Sequence, residues 1–249
     1  MTRGAAASAR PLPGKVHRMS RAAAVWPPAI HRSPLQAVLF DMDGLLIDSE
    51  PLWFEVESAV MARLGGEWTP EDQYALVGGS LEASLDYLLA RAAEPAPREQ
   101  VARWMVDGMT DLLRERGVHV LPGARELLAE VTAARVPSAL VTSSERQIMD
   151  EVIASIGVAF GATVCAEDVR APKPDPEPYL RAAALLGAEP AGCIALEDSP
   201  NGVAAAEAAG CLVVAVPSVL PIPTRPGRVV ASSLAQLDLA MLRGMMGGR

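Results

Sequence analysis

The sequence predicts an α/β fold, a doubly wound parallel sheet with an all-helical segment inserted after its first strand. Three observations carry this. From Val118 onward, short β-rich apolar runs alternate with helical ones. Residues 51–117 read as wholly helical, and a single strand-like run precedes them, ending in the acids of "VLFDMDGLLIDSE". Strands buried on both faces read as continuous apolar runs, which suits a parallel βα arrangement.

In the helical segment, Leu52, Val56, Val60 and Leu64 repeat at four-residue spacing and Gly65-Gly66 stops the helix. A second helix is predicted from Leu81 to Ala93, closed by "EPAP", and a third from Arg98 to Arg116, ended by Gly117. Beyond it, "VPSALVT" (136–142), "ATVCAED" (162–168), "GCIALED" (192–198) and "CLVVAVP" (211–217) read as buried strands. Helices are expected between them at 145–156, 176–186 and 200–209. The predicted division is a core of 34–50 and 118–249, with a helical cap at 51–117.

At 249 residues, 50% hydrophobic and 21% charged, the chain is long enough to bury a sizeable core. Its apolar runs fall short of a bilayer span. Net charge is −8, yet residues 1–33 carry basic side chains and no acid, so the remainder is more acidic still. An acidic body argues against a nucleic-acid partner. The stretch 1–33 has no continuous apolar run of a secretory signal. It is read as a disordered basic tail, or as residues upstream of a true start at Met19. Cys165, Cys193 and Cys211 lie in apolar runs without metal spacing, so they are expected to be reduced core residues of a cytoplasmic protein. A monomer is expected.

Ligands of open parallel sheets bind at the carboxyl ends of the strands, so what each strand ends with matters. The first ends in Asp41-Met42-Asp43 and the next in Thr142-Ser143-Ser144, where Ser144 and Gln147 form a capping-box pattern. "GCIALED" ends in Glu197-Asp198-Ser199, with Pro200 suited to a first helical position. Lys173 stands among prolines in "APKPDPEPY", which are expected to hold it in a stiff extended loop, with Asp175 capping the following helix. Acid, hydroxyl, cation and acid thus converge. A carboxylate that attacks a phosphate dianion needs a divalent cation and a fixed ammonium against repulsion. Asp41, Asp43 and Asp198 supply hard oxygen ligands suited to Mg²⁺. Lys173 and Thr142 would hold phosphoryl oxygens, and an aspartate would carry the phosphoryl group covalently. A calcium loop is excluded, because its fifth, sixth and twelfth positions hold Leu45, Leu46 and Leu52.

Taken in order, "DMDGLLIDSE", "VTSS", "KPDPEPY" and "EDSPNGVAAAEAAG" resemble the four motifs of haloacid dehalogenase superfamily phosphohydrolases, in the β-phosphoglucomutase-like branch with a helical cap. The resemblance covers roughly residues 36–240. It implies Asp41 as nucleophile and Asp43 as general acid/base, with the Asp43 backbone carbonyl also on Mg²⁺. It further implies phosphate binding by Thr142, Ser143 and Lys173, and metal binding by Asp198 with Glu197 direct or through water. The expected activity is Mg²⁺-dependent hydrolysis of a small phosphorylated metabolite, a sugar or polyol phosphate.

Three other readings compete with this one. Dehalogenase chemistry lacks the second acid, so Asp43 speaks against it. A silent binding protein on this scaffold is disfavoured by four intact motifs. A sugar phosphomutase of the same branch carries a histidine where this chain has Trp53 and a cap arginine where it has Leu81, with Arg91 or Arg103 as possible substitutes for the latter.

Overall fold

The computed structural model describes residues 34–225 and 228–247; the basic stretch 1–33, read above as a tail, lies outside them. In chain order the elements are β1 (Ala37–Phe40), α1 (Glu50–Arg63), α2 (Pro70–Leu76), α3 (Leu81–Arg91), α4 (Arg98–Arg116) and α5 (Ala124–Ala133). There follow β2 (Ser138–Val141), α6 (Arg146–Ile156), β3 (Ala162–Val164), α7 (Glu177–Leu185) and β4 (Cys193–Glu197). The chain then forms α8 (Pro200–Ala208), β5 (Leu212–Ala215), β6 (Arg228–Val230) and α9 (Leu239–Met245).

The sheet has the order β3-β2-β1-β4-β5-β6 and every pairing is parallel. It is doubly wound because β1 feeds both faces. Val38 and Phe40 pack with Leu128, Ile148 and Leu242, whereas Ala37 and Leu39 pack with Tyr179, Ala182 and Val203. From β1 the order runs outward in both directions, so the adjacent carboxyl ends of β1 and β4 form the switch point where such sheets bind ligands. The α/β class with an inserted helical cap is borne out.

Helices α1 to α4 separate β1 from the rest of the core. The two crossings are joined where Ile47 bridges Val120, with Asp48 N–H donating to His119 O at 2.9 Å. Arg114 on α4 donates to Glu151 on α6, its Nε at 2.8 Å, which ties helix to core.

Some details depart from expectation. The run 162–168 pairs only over Ala162–Val164 and then enters a tight 3-10 turn at Ala166–Asp168. The Asp168 carboxylate accepts the Cys165 N–H at 3.0 Å and is held by Arg146, and these local bonds outcompete the ladder. Elements α2, α5, β6 and α9 had no distinct sequence signal. β6 is a three-residue edge strand, too short for a pattern, and α2 is opened by a capping box between Thr69 and Asp72. Cys165, Cys193 and Cys211 are buried and free.

Candidate active site

Backbone pairing extends each strand toward one point. Asp41 N–H donates to Leu196 O at 3.1 Å and Thr142 N–H to Val164 O at 2.9 Å, so both side chains emerge where their ladders end. After Asp41 the chain turns back, with Gly44 N–H donating to Ile47 O at 2.8 Å. Gly44 has φ +74°, and a Cβ there would lie 2.1 Å from Asp198 Oδ2. Only glycine lets this loop meet the end of β4.

Lys173 is the hub. Its Nζ donates to Asp41 Oδ1 at 2.6 Å, Glu197 Oε1 at 2.7 Å and Val141 O at 2.9 Å. It sits in a turn rather than the expected extended loop: Asp175 N–H donates to Pro172 O at 2.9 Å, and the Lys173–Pro174 peptide bond is cis. Asp175 does serve the next helix, accepting Glu177 N–H at 2.9 Å. Glu197 is fully buried. Besides Lys173, its carboxylate accepts from Tyr179 OH at 2.6 Å, and from the N–H groups of Asp198 at 3.1 Å and Ser199 at 3.3 Å.

Asp43 faces the other way. Its Oδ1 accepts from Ser49 Oγ at 2.6 Å and its Oδ2 from Ser144 Oγ at 2.8 Å and Thr142 Oγ1 at 3.3 Å. The predicted Ser144–Gln147 capping box is therefore not formed. The Ser144 hydroxyl is taken by Asp43, α6 starts one residue later with Glu145 at its N-cap, and the Glu167 carboxylate accepts Arg146 N–H at 2.9 Å. Ser199 does cap α8, accepting Gly202 N–H at 3.0 Å with Pro200 at the start.

Oxygens of Asp41, Glu197 and Asp198 lie within 4.8 Å of one another. Burial, then the charge of Glu197, pushes Asp41 up to about 8, although Lys173 opposes the shift. Burial, followed by Asp41 and Glu197, likewise holds Asp198 well above the carboxylate range despite a hydrogen bond from Ser218 Oγ. Burial works against the Lys173 ammonium, but Asp41 and Glu197 outweigh it and its pKa is raised. Three hard-oxygen carboxylates served by one ammonium fit a divalent cation such as Mg²⁺. The Asp43 side chain is not in this cluster.

Asp41, Asp43, Thr142, Ser143, Lys173 and Asp198 line one cavity. Glu197 lies behind that wall. The opposite wall is built by the inserted helices: Glu50, Trp53 and Glu57 of α1, Gln73 of α2, the 76–81 turn, Ser84 of α3 and Met105 of α4. Gly78 in that turn approaches the core closely, its carbonyl accepting Asn201 Nδ2 at 3.0 Å. The sequence reading missed Ser49, Ser144, Tyr179 and Glu57 as parts of the site, taking Ser144 only for a helix cap. The first three stand inside or beside quoted motifs, and Glu57 had only its place on the apolar face of α1 as a signal.

A doubly wound sheet with paired acids, hydroxyls and a buried lysine at its switch point defines a phosphoryl-handling hydrolase fold. Residues 38–216 match the haloacid dehalogenase-like hydrolase family, and the chain belongs to that family as a phosphoric monoester hydrolase. It is 36% identical over 186 residues to hexitol phosphatase B of Escherichia coli K12, covering 73% of this chain and 83% of that one. Among solved structures it resembles CbbY of Rhodobacter sphaeroides in complex with phosphate, at TM-score 0.76 and 26% identity over 85% of this chain and 99% of that one. It shares the fold of β-phosphoglucomutase from Clostridium difficile, at TM-score 0.73 and 22% identity over 85% and 97% of the two chains.

Proposed function

We propose that this chain is a Mg²⁺-dependent phosphatase of a sugar or polyol monophosphate, working in a reducing cytoplasm through an aspartyl-phosphate on Asp41. Residues 51–117 are assigned to the cap and 34–50 with 118–249 to the core. One observation carries the choice of a monophosphate. Among the described residues, the cap wall of the cavity holds Glu50 and Glu57 but no lysine or arginine. A bisphosphate needs a cation at its second end. Leu81 lines the cavity at the place where a mutase arginine was sought, Trp53 lines it where a histidine was sought, and neither neutralises a dianion. Arg91 stacks on Tyr87 and pairs with Asp72 at 3.4 Å, and Arg103 is exposed; neither reaches the cavity.

In this reading Lys173 fixes Asp41 through Oδ1, and Oδ2, without a hydrogen-bond partner among the described residues, attacks phosphorus. The Asp41 O–P bond forms as the bond to the alcohol oxygen breaks. Asp43, oriented by Ser49, Thr142 and Ser144, gives that oxygen its proton. Asp43 then takes a proton from water, whose oxygen attacks phosphorus and frees Asp41 and inorganic phosphate. Asp41, Asp198 and the Asp43 carbonyl would hold Mg²⁺, with Glu197 supporting from behind. When bound, the ion keeps the carboxylates ionised and offsets charge on the phosphoryl oxygens.

The test follows phosphate release and isomer formation together, on hexitol 6-phosphates, β-glucose 1-phosphate primed with glucose 1,6-bisphosphate, and phosphoglycolate. Phosphate release from a sugar or polyol monophosphate is expected. Rapid formation of glucose 6-phosphate with little free phosphate would overturn the reading in favour of a mutase.

A further inference from the structure

On α1 the residues Val56, Val60 and Met61 pack into the core, and Glu57 stands among them, 3% exposed. Its Oε2 is buried and, among the described residues, has no hydrogen-bond partner. A leucine would fill this place on the buried side of α1 without cost, whereas an unmet buried carboxyl oxygen costs about 1–3 kcal/mol or more. The charge that bears on it is that of Glu50, of like sign and seven residues earlier on the same helix. The Trp68 indole beside it donates its N–H to Gln73 Oε1 at a long 3.4 Å and also bears on the Glu57 carboxyl as a hydrogen-bond donor, but it leaves Oε2 unmet. Glu57 lines the cavity on its cap side together with Glu50, Gln73 and Ser84. An acceptor held there without a donor is complementary to a donor that arrives with the ligand.

We propose that Glu57 is a specificity-determining residue that receives a hydroxyl of the substrate's carbon chain, so that the cap selects hydroxyl-rich alcohols over apolar ones. The assignment rests on the phosphatase reading above and names the feature of the substrate it selects. The occupant is a neutral hydroxyl rather than an ammonium or a second phosphate. Of the groups beside it, Gln73 and Ser84 are neutral and the Glu50 carboxylate already accepts from Gln73 Nε2 at 2.7 Å, and among the described residues no cation stands on that wall for a phosphate. Burial, then Glu50, raises the Glu57 carboxyl to about 8, so near neutral pH it is protonated and both gives and accepts a hydrogen bond, as a hydroxyl does. A site built around a substrate hydroxyl rejects the analogue lacking it, because its own polar group is then left unmet.

The experiment compares kcat/KM for sorbitol 6-phosphate and for n-hexyl phosphate, a chain of equal length without hydroxyls, in wild type, Glu57→Gln and Glu57→Leu. The ratio of the two cancels any general loss of activity. Wild type is expected to prefer the hexitol. Glu57→Gln, which keeps a donor and an acceptor, is expected to retain most of that preference, and Glu57→Leu to lose at least ~10-fold of it, mainly through KM. Should Glu57→Leu fail to fold, Glu57→Met, unbranched and of similar length, is measured in its place. Preference retained in the apolar variant overturns the role of Glu57 and leaves the phosphatase reading intact. Wild-type hydrolysis of p-nitrophenyl phosphate without preference for the hexitol overturns the substrate class. No phosphate release from any of the three esters overturns both.

Discussion

Lys173 Nζ donates to Asp41 Oδ1 at 2.6 Å across 132 residues of chain, with Glu197 Oε1 on its other side at 2.7 Å. This ammonium is the one basic group among the described residues of the cavity wall. Replacing it by methionine, similar in length, leaves Asp41, Glu197 and Asp198 buried without a cation. Breaking a buried ion pair on one side costs about 3–5 kcal/mol. Lys173→Met is therefore expected to lose activity and to melt roughly 10 °C lower. A thermal scan showing a melting temperature within about 2 °C of wild type would sink the hub role.

Asp41→Asn keeps the shape of the proposed nucleophile and removes its charge. Turnover is expected to fall by at least ~10³-fold with an unchanged circular dichroism spectrum. Asp43→Asn is expected to lose about 10²–10⁴-fold on alkyl phosphates. The loss should be smaller on p-nitrophenyl phosphate, whose leaving group needs no proton. Equal losses on both esters would count against Asp43 as the acid.

A Mg²⁺ ion held only by the folded cluster would raise the melting temperature. At 100-fold over its dissociation constant the gain is about 2.7 kcal/mol, some 5–10 °C for a chain of this size. Chelation should remove both that gain and the activity. Asp198→Asn should abolish the thermal response, and an undiminished response in that variant would place the ion elsewhere.

Gly202 lies in the first turn of α8 against Glu197, and a Cβ there would sit 1.8 Å from Glu197 Oε1 and 2.0 Å from Cδ. Glu197 cannot yield without giving up Lys173, Tyr179 and the N–H groups of Asp198 and Ser199. Gly202→Ala is expected to cost about 1–3 kcal/mol and to lower activity by shifting Lys173. The control is Gly244→Ala on α9, where a Cβ meets nothing within 4 Å. There the change should stabilise by about 0.5–1 kcal/mol. Equal melting temperatures for the two variants would refute the clash.

Glu57 also makes stability pH-dependent. Burial, then Glu50, raises its carboxyl from 4.5 to about 8, with the Trp68 indole opposing the shift. Between those values the folded state binds more protons than the unfolded one, so this contribution is full below pH 4.5 and is lost as pH rises through about 8. Glu57→Gln lacks it. The variant's melting temperature minus that of wild type should rise from pH 4.5 to above pH 8 by several degrees, and a flat difference would mean that Glu57 titrates normally.

The chemistry of the site was legible in the sequence because parallel strands end on one edge of a sheet. Once β1, β2 and β4 are recognised by their apolar runs, Asp41, Thr142 and Asp198 must meet at that edge, whatever lies between them. The two helical stops at Gly65-Gly66 and Gly117 were legible for a local reason as well, since each depends on a few neighbouring residues. What the tertiary structure alone decided are the relationships between segments far apart in the chain. Ser144 fits a helix cap by its local pattern, yet its hydroxyl donates to Asp43, 101 residues earlier, a charge-assisted bond that sets its side-chain direction. Glu197 reads as an acid at the end of a strand, but packing β4 against α7 places Tyr179 and Lys173 on it, behind the cavity wall. Glu57 reads as one polar position in a helix. Only the packing of α1 against its neighbours buries it without a partner, because the burial of a side chain is a property of every surface that closes over it.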